Sequence, residues 1–287
     1  MGAAGVACLI VALMRPQLGI ERFIRRAEGI DVMLALDASG SMQAYDLPES
    51  YRTESEVRRD IQAGILRTRI EVAKEELRKF VEGRPNDRIG LIVFATLPYV
   101  ASPPTLDHRF LLEQLSEINA GELGDRTGIA APIASAAGRL EKSPAKRRVL
   151  VLFTDGDNNV EAKVTPQQAA KLAATFDVAA YTVGIGSPRS VVAVQTAFGA
   201  LLQPSGAGFN EKLLREISDV TGGRYFEARD AQAFRKVMEE IDALETTALE
   251  QPTYMDYKEQ FAGWLAAGLS LLLAAAIIEN SVLQVVP

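Results

Sequence analysis

The amino-acid sequence predicts an α/β fold in which a doubly wound, mostly parallel β-sheet is flanked by helices, with apolar membrane segments at both ends of the chain. Short apolar runs bounded by turn residues are typical of strands buried on both faces. Helical patterns alternate with these runs, which favours parallel strands joined by right-handed crossovers. The stretches 1–14 and 261–278 carry no charged residue, whereas the region between them is rich in charge.

Four apolar runs are the predicted strands of the sheet. They are 31–36, 89–95, 149–153 and 178–185. In a fold of this class the ligand site lies beyond the carboxyl ends of the strands. We therefore expect the functional residues in the loops that follow these runs.

Six segments between or after the strands have helical spacing. They are 66–82, 108–118, 128–141, 166–176, 211–220 and 230–245. In 66–82 the apolar side chains share one stripe. Asp230 is a predicted N-cap, and Gly222 is predicted to end the preceding helix because glycine adopts the left-handed conformation readily.

The C-terminal apolar segment is long enough to cross a membrane. Residues 261–278 (FAGWLAAGLSLLLAAAII) would span about 27 Å as a helix, close to a hydrocarbon core of about 30 Å, and Trp264 lies near the start. Residues 1–14 (MGAAGVACLIVALM) are marginal as a span and lack the basic start of a signal peptide. We interpret them as a membrane segment whose upstream part is short or missing.

Composition and these segments define the expected organisation. The parts are an N-terminal membrane segment (1–14), a juxtamembrane linker (15–27), an α/β domain (28–247), a second linker (248–260) and a C-terminal transmembrane helix (261–278). The net charge of −6 argues against nucleic-acid binding. The single cysteine, Cys8, and single histidine, His108, exclude a disulfide framework and thiolate or histidine-rich zinc sites. Any chemistry therefore depends on oxygen ligands.

Three loops at the expected carboxyl edge carry such oxygens. A D-x-S-x-S pattern follows the first strand, a threonine precedes the helix 128–141, and a carboxylate follows the strand 149–153. The residues are Asp37, Ser39, Ser41, Thr127 and Asp155. Carboxylates and hydroxyls are hard ligands that suit Mg²⁺ or Mn²⁺ rather than zinc. The polar stretch 157–159 after Asp155 is predicted to form a turn with a supporting role.

These residues resemble the metal-ion-dependent adhesion site of the von Willebrand factor A domain, over residues 28–247. The matching motifs are DASGSM after a buried strand, Thr127, and FTDGDNN after a later strand. The resemblance implies that Ser39 and Ser41 are direct ligands and that Thr127 is a ligand-state-dependent one. It implies that Asp37 and Asp155 bind the metal directly or through water. One coordination position in that family stays open for a carboxylate, Glu or Asp, of a protein partner.

More narrowly, the chain resembles the membrane-anchored von Willebrand factor A proteins of bacterial aerotolerance operons, the BatA/BatB type. The shared segments include 14–17 (MRPQ), 86–95 (NDRIGLIVFA) and 221–226 (TGGRYF). This resemblance implies companion Bat-type membrane proteins and a MoxR-type AAA+ ATPase as partners, in stress tolerance or envelope maintenance. The stretch 43–65 is longer than the family's link between metal loop and first helix, so we expect an unusual rim of the site.

Two classes of function are compatible with these residues. The first is a non-catalytic, metal-dependent interaction module, and the second is a Mg²⁺-dependent phosphatase with Asp37 as nucleophile. Phosphatase chemistry of that kind needs a second carboxyl two residues after the nucleophile as acid and base. The sequence has Ser39 there and no positioned lysine, which favours the interaction module.

The side of the membrane on which the domain lies is open to two interpretations. Arginines flank the first apolar segment on the domain side, at positions 15, 22, 25 and 26. The positive-inside rule applied to this chain alone places the domain in the cytoplasm. The family's earlier helix and basic loop reverse that assignment. We expect the bacterial inner membrane, with the domain on the periplasmic side.

Overall fold

The computed structural model describes residues 2–21, 29–156, 158–196, 199–205, 210–248 and 255–282. The helices are Gly2–Leu13 (α1), Glu54–Gln62 (α2), Arg69–Glu82 (α3), His108–Glu117 (α4), Ala130–Leu140 (α5), Pro166–Thr175 (α6), Glu211–Thr221 (α7), Ala231–Ala248 (α8) and Phe261–Val282 (α9). The strands are Gln17–Glu21 (β1), Asp31–Asp37 (β2), Tyr45–Asp46 (β3), Arg88–Phe94 (β4), Pro98–Thr105 (β5), Arg148–Thr154 (β6), Val178–Ile185 (β7), Ser190–Thr196 (β8), Gly199–Pro204 (β9), Tyr225–Ala228 (β10) and Met255–Glu259 (β11).

The segment Ala27–Ala248 forms one unit around a six-stranded sheet with the strand order β10-β7-β6-β2-β4-β5. Neighbouring strands are parallel except for β5, which runs antiparallel to β4 at one edge. Every residue of β2 and β7 is buried, as expected for strands covered on both faces. The predicted doubly wound α/β fold is confirmed.

Local signals fix where the helices begin and end. Thr68 and Glu71 form a capping box that starts α3, so the helix begins later than the predicted residue 66. The backbone N–H of Ala233 donates to Asp230 Oδ1 at 2.7 Å, which makes Asp230 the N-cap of α8, as predicted. Helix α7 ends at Gly222 with φ +72°, in the left-handed conformation that the sequence predicted.

Side chains from both faces of the sheet build the core. On one face α5, α6 and α7 pack on alternate residues of the central strands, including Met33, Ala35 and Leu152. On the other face Phe234 of α8 stacks on Phe153 of β6, with ring centroids 5.4 Å apart. Burial of this apolar area is the main stabilising contribution to the domain.

A second, smaller sheet was not predicted. Strand β3, helix α2 and their connections occupy the stretch 43–65, for which the sequence predicts only a long link. Strand β3 pairs antiparallel with β8, and β8 pairs with β9 in a hairpin. The capping box of Thr53 and Glu56 that starts α2 is visible in the sequence as T-E-S-E.

The two chain ends form a unit of their own. Helices α1 and α9 pack antiparallel through glycines: a Cβ at Gly5 would lie 2.8 Å from Leu272 Cγ, and one at Gly268 would lie 2.9 Å from Leu9 Cδ2. Strand β1 pairs antiparallel with β11. The glycines allow the helix backbones to approach closely, which is typical of helix pairs in membranes.

Helix α9 is a candidate membrane span. In the described part of the chain it is the one helix both long and apolar enough, with a mean hydropathy of 2.2 over Phe261–Ile278. Helix α1 is apolar but has only 12 residues. Residues 22–28 and 249–254 lie outside the described residues, and so do the arginines at 22, 25 and 26 used to predict the orientation.

Candidate metal site

The candidate site lies at the carboxyl edge of the large sheet. Strand β2 ends at Asp37, and its neighbour β6 ends at Thr154, one residue before Asp155. After Asp37 the chain turns through a short 3₁₀ helix, Gly40–Gln43. The first and third predicted loops therefore lie side by side because their strands are adjacent.

Hydrogen bonds connect the serines of the first loop to the carboxylate of the third. The Oγ atoms of Ser39 and Ser41 are 3.0 Å apart. Ser41 Oγ donates to Asp155 Oδ1 at 2.7 Å. Ser39 and Asp155 are buried, and Ser41 is partly exposed. Three of the five candidate ligands thus form a connected cluster of oxygens with one side toward solvent.

Asp37 lies beneath this cluster and is fully buried. Its Oδ1 accepts from the backbone N–H of Ser39 at 2.9 Å, and its Oδ2 accepts from Thr154 Oγ1 at 2.7 Å. Burial and the nearby charge of Asp155 raise the pKa of Asp37 to about 7. Burial also raises the pKa of Asp155, against the opposing charge of Arg69. The two carboxylates are thus held together where their negative charge is costly.

Thr127 is positioned by the polar turn after Asp155. The backbone N–H of Thr127 donates to Asn159 Oδ1 at 2.8 Å, and that of Ile129 donates to Asn158 Oδ1 at 3.0 Å. Thr127 Oγ1 lies next to Gly156, where an added Cβ would come within 3.1 Å of it. The expected supporting role of residues 158 and 159 therefore has a geometric basis. The remaining residue of the turn, Asp157, lies outside the described residues.

The donor set fits a hard divalent cation. It combines two carboxylates with three hydroxyls, and Mg²⁺ and Mn²⁺ prefer such oxygens. Among the described residues no three His, Cys, Asp or Glu side chains are grouped as metal ligands. Four of the predicted ligands lie close together in the structure: Asp37, Ser39, Ser41 and Asp155. That they bind a metal together with Thr127 stays a prediction.

Sequence reasoning missed Arg69, the first residue of α3. Its Nη1 donates to Asp155 Oδ2 at 2.8 Å, and its Nη2 donates to Asp46 Oδ1 at 2.7 Å. The capping box at Thr68 marks position 69 as a helix start, but no local pattern indicates that its side chain reaches a loop far along the chain. Asp125 was also missed: a Cβ at Gly40 would lie 2.9 Å from its Oδ1.

Comparisons with known proteins agree with the fold. Residues 32–158 match the von Willebrand factor type A domain model. A crystal structure of the conserved hypothetical protein BatB from Bacteroides thetaiotaomicron is 25% identical, with a TM-score of 0.56, over 76% of this chain and 100% of that one. An aerotolerance-related membrane protein from Bacteroides fragilis is 26% identical, with a TM-score of 0.55, over 74% of this chain and 98% of that one.

The similarity covers nearly all of this chain in a sequence relative. An uncharacterized protein of Borreliella burgdorferi is 27% identical over 285 residues, which cover 96% of this chain and 76% of the relative. The match therefore extends beyond the α/β domain into the segments on both sides of it.

Proposed function

Because this chain carries a von Willebrand factor type A domain and is similar to BatB-type aerotolerance-related membrane proteins, we propose that it is a membrane-anchored, metal-dependent protein-interaction module. The observation that carries the proposal is the cluster in which Ser39, Ser41 and Asp155 share hydrogen bonds above Asp37. Together with Thr127 these residues would hold Mg²⁺ or Mn²⁺. The bound cation supplies a positive charge that attracts a partner's Glu or Asp.

The chain's own residues have distinct tasks in this proposal. Ser39, Ser41 and Thr127 offer neutral oxygens, which leave part of the cation's charge uncompensated. Asp37 fixes the loop through the Ser39 N–H and adds a buried negative charge. Asn159 holds the backbone of Thr127 and thereby fixes the place of this residue beside the third loop. Such preorganisation lowers the entropic cost of binding.

The proposed cellular setting follows from the resemblance to the BatA/BatB type. The partners would be companion Bat-type membrane proteins and a MoxR-type AAA+ ATPase, in stress tolerance or envelope maintenance at the bacterial inner membrane. The exposed apolar surface of α9, with Leu269, Leu273 and Ile277 each more than half exposed, supports insertion of this helix in lipid.

The phosphatase alternative is disfavoured by the surroundings of Asp37. A nucleophilic carboxylate needs one oxygen open to the substrate phosphorus. Asp37 is fully buried behind the loop of Ser39 and Ser41, so neither of its oxygens is exposed for attack on a substrate phosphate. We propose that the protein is not an enzyme.

The metal proposal is tested with the full chain in detergent. Ser39→Ala combined with Ser41→Ala should abolish Mn²⁺ binding in isothermal titration calorimetry, because it removes two neighbouring ligands. EDTA should release a companion Bat protein captured by the wild type. A matched control is Ser116→Ala with Ser135→Ala, since the hydroxyls of both serines form hydrogen bonds within their own helices. Capture that survives both EDTA and the ligand substitutions would show that the metal site is not the contact.

We propose that the domain faces the periplasm, and the family topology supports this orientation. In a Cys8→Ala background, the surface change Lys142→Cys introduces one thiol on the exposed side of the domain. A membrane-impermeant maleimide should label this thiol in intact cells with the outer membrane permeabilised. Labelling that appears only after the cells are lysed would place the domain in the cytoplasm.

A further inference from the structure

The guanidinium of Arg69 is a buried positive charge beside the candidate metal site. Its side chain is 2% exposed and lies between the carboxylates of Asp155 (0%) and Asp46 (15%). Both oxygens of Asp46 accept from Arg69 Nε at 3.1 Å, while Nη1 bonds to Asp155. Gly186, with φ +127°, leaves space for the guanidinium, because a Cβ there would lie 2.7 Å from Nη2. The side chain is therefore fixed by contacts on several sides.

The carboxylate of Asp155 is thus shared between the candidate ligand cluster and the guanidinium of Arg69. Oδ1 of Asp155 accepts from Ser41, and Oδ2 accepts from Arg69. A divalent cation bound at the serines would experience repulsion from the guanidinium a few ångströms away. Burial weakens solvent screening, so this repulsion is stronger than it would be between the same charges in water.

Asp46 is a second negative charge that attracts the guanidinium, in opposition to Asp155. It belongs to β3, and its Oδ1 also accepts from the backbone N–H of Ser187 at 2.9 Å, which fixes its position. Its negative charge draws the guanidinium away from Asp155. Without that charge, Arg69 would interact with Asp155 alone.

We propose that Arg69 is a built-in counter-ion that competes with the divalent cation for Asp155, and that Asp46 limits the strength of this competition. The inference rests on the proposed metal site, and it assigns Arg69 a positioning role rather than a role as ligand. Arg69 keeps the cation affinity low enough for the cation to exchange, and it stabilises Asp155 whenever no cation is bound.

The test measures Mn²⁺ affinity of the full chain in detergent by calorimetry at pH 8, with thermal melting in EDTA to check folding. Arg69→Gln should bind Mn²⁺ about tenfold or more tightly, since a repulsive charge is removed. Asp46→Asn should bind at least threefold more weakly. Arg69→Lys keeps the charge and should stay within about threefold of the wild type. Arg235→Gln, which removes another arginine paired with a buried carboxylate, Glu76, should leave the affinity unchanged.

The outcomes separate this inference from the function on which it rests. If the Mn²⁺ affinity of Arg69→Gln equals that of the wild type or is lower, the proposed competition is wrong. A residue that merely orients Asp155 would weaken Mn²⁺ binding when it is replaced. If Arg69→Gln does not fold, Asp46→Asn decides, since unchanged or tighter binding there contradicts the proposal. Absence of Mn²⁺ binding in wild type and all variants overturns both proposals. Binding gained only in Arg69→Gln supports the competition.

Discussion

Replacing Asp37 with asparagine is expected to stabilise the metal-free protein at pH 8 and to abolish its stabilisation by Mn²⁺. Burial and Asp155 raise the pKa of Asp37 to about 7, so folding at pH 8 buries a carboxylate that has lost its proton. A rise in the pKa from 3.8 to about 7 corresponds to a free-energy cost of about 4 kcal/mol for the charged form, at 1.36 kcal/mol per pKa unit. Asparagine retains an oxygen for the Ser39 N–H but carries no charge. We expect a gain of about 2–4 kcal/mol in the free energy of unfolding.

The pH dependence of this gain follows from the direction of the shift. The pKa of Asp37 is higher in the folded state, so its stabilising contribution exists at low pH and is lost as the pH rises from about 4 through 7. The gain from Asp37→Asn should therefore be clearly larger at pH 8 than at pH 5 in urea denaturation with EDTA. Asp31→Asn, at the opposite end of β2 and bonded to Ser143, is the matched control and should not stabilise. Equal gains at both pH values would contradict the argument.

The second large effect concerns stability. Gly223→Ala is expected to destabilise the domain by about 3 kcal/mol or more, or to prevent folding. A Cβ at this position would overlap the backbone oxygen of Ala180 in β7. The backbone around residue 223 cannot shift easily. The N–H of Gly223 donates to Ser218 O at 2.9 Å, and the carbonyl oxygen of Arg224 accepts from the N–H of Thr182. Urea denaturation followed by circular dichroism measures the loss.

Two other glycines serve as controls for this prediction. Gly222 has a φ of +72° and open space around it. Gly222→Ala should therefore lower the free energy of unfolding by only about 1–2 kcal/mol, from backbone strain alone. Gly138 in α5 also has open space, and Gly138→Ala should stabilise by about 0.5–1 kcal/mol through helix propensity. A loss at Gly223 no larger than that at Gly222 would show that the contact with Ala180 is not limiting.

The four central strands of the large sheet and the helices that pack on it were predictable because their signals are local, whereas the edge strands β5 and β10 were not predicted. The apolar run of β2 marks the strand itself, and Asp230 caps a helix that begins at the next residue. The hairpin of β8 and β9 contains a run of valines, which is a strand signal, but its partner β3 is only two residues long and lies far away in the chain. Pairing across such a distance depends on the complete fold.

The same distinction applies to the candidate site. The D-x-S-x-S pattern is contained in one loop, so Asp37, Ser39 and Ser41 could be proposed from the sequence. That Asp155 lies against Ser41 depends on β6 being the neighbour of β2, which no local pattern specifies. Arg69 was missed for the same reason, since its contacts reach Asp46 and Asp155 across 23 and 86 positions.

The ribbon of β1 and β11 has a consequence for the order of folding. Gln17 pairs with Glu259, so β1 has no strand partner until residue 259 has been synthesised. The domain strands, by contrast, all lie between these two, and domains fold as units during synthesis. A fragment that keeps β1 and lacks β11 would expose an unpaired edge strand, a known aggregation hazard. A soluble fragment should therefore be limited to Ala27–Ala248.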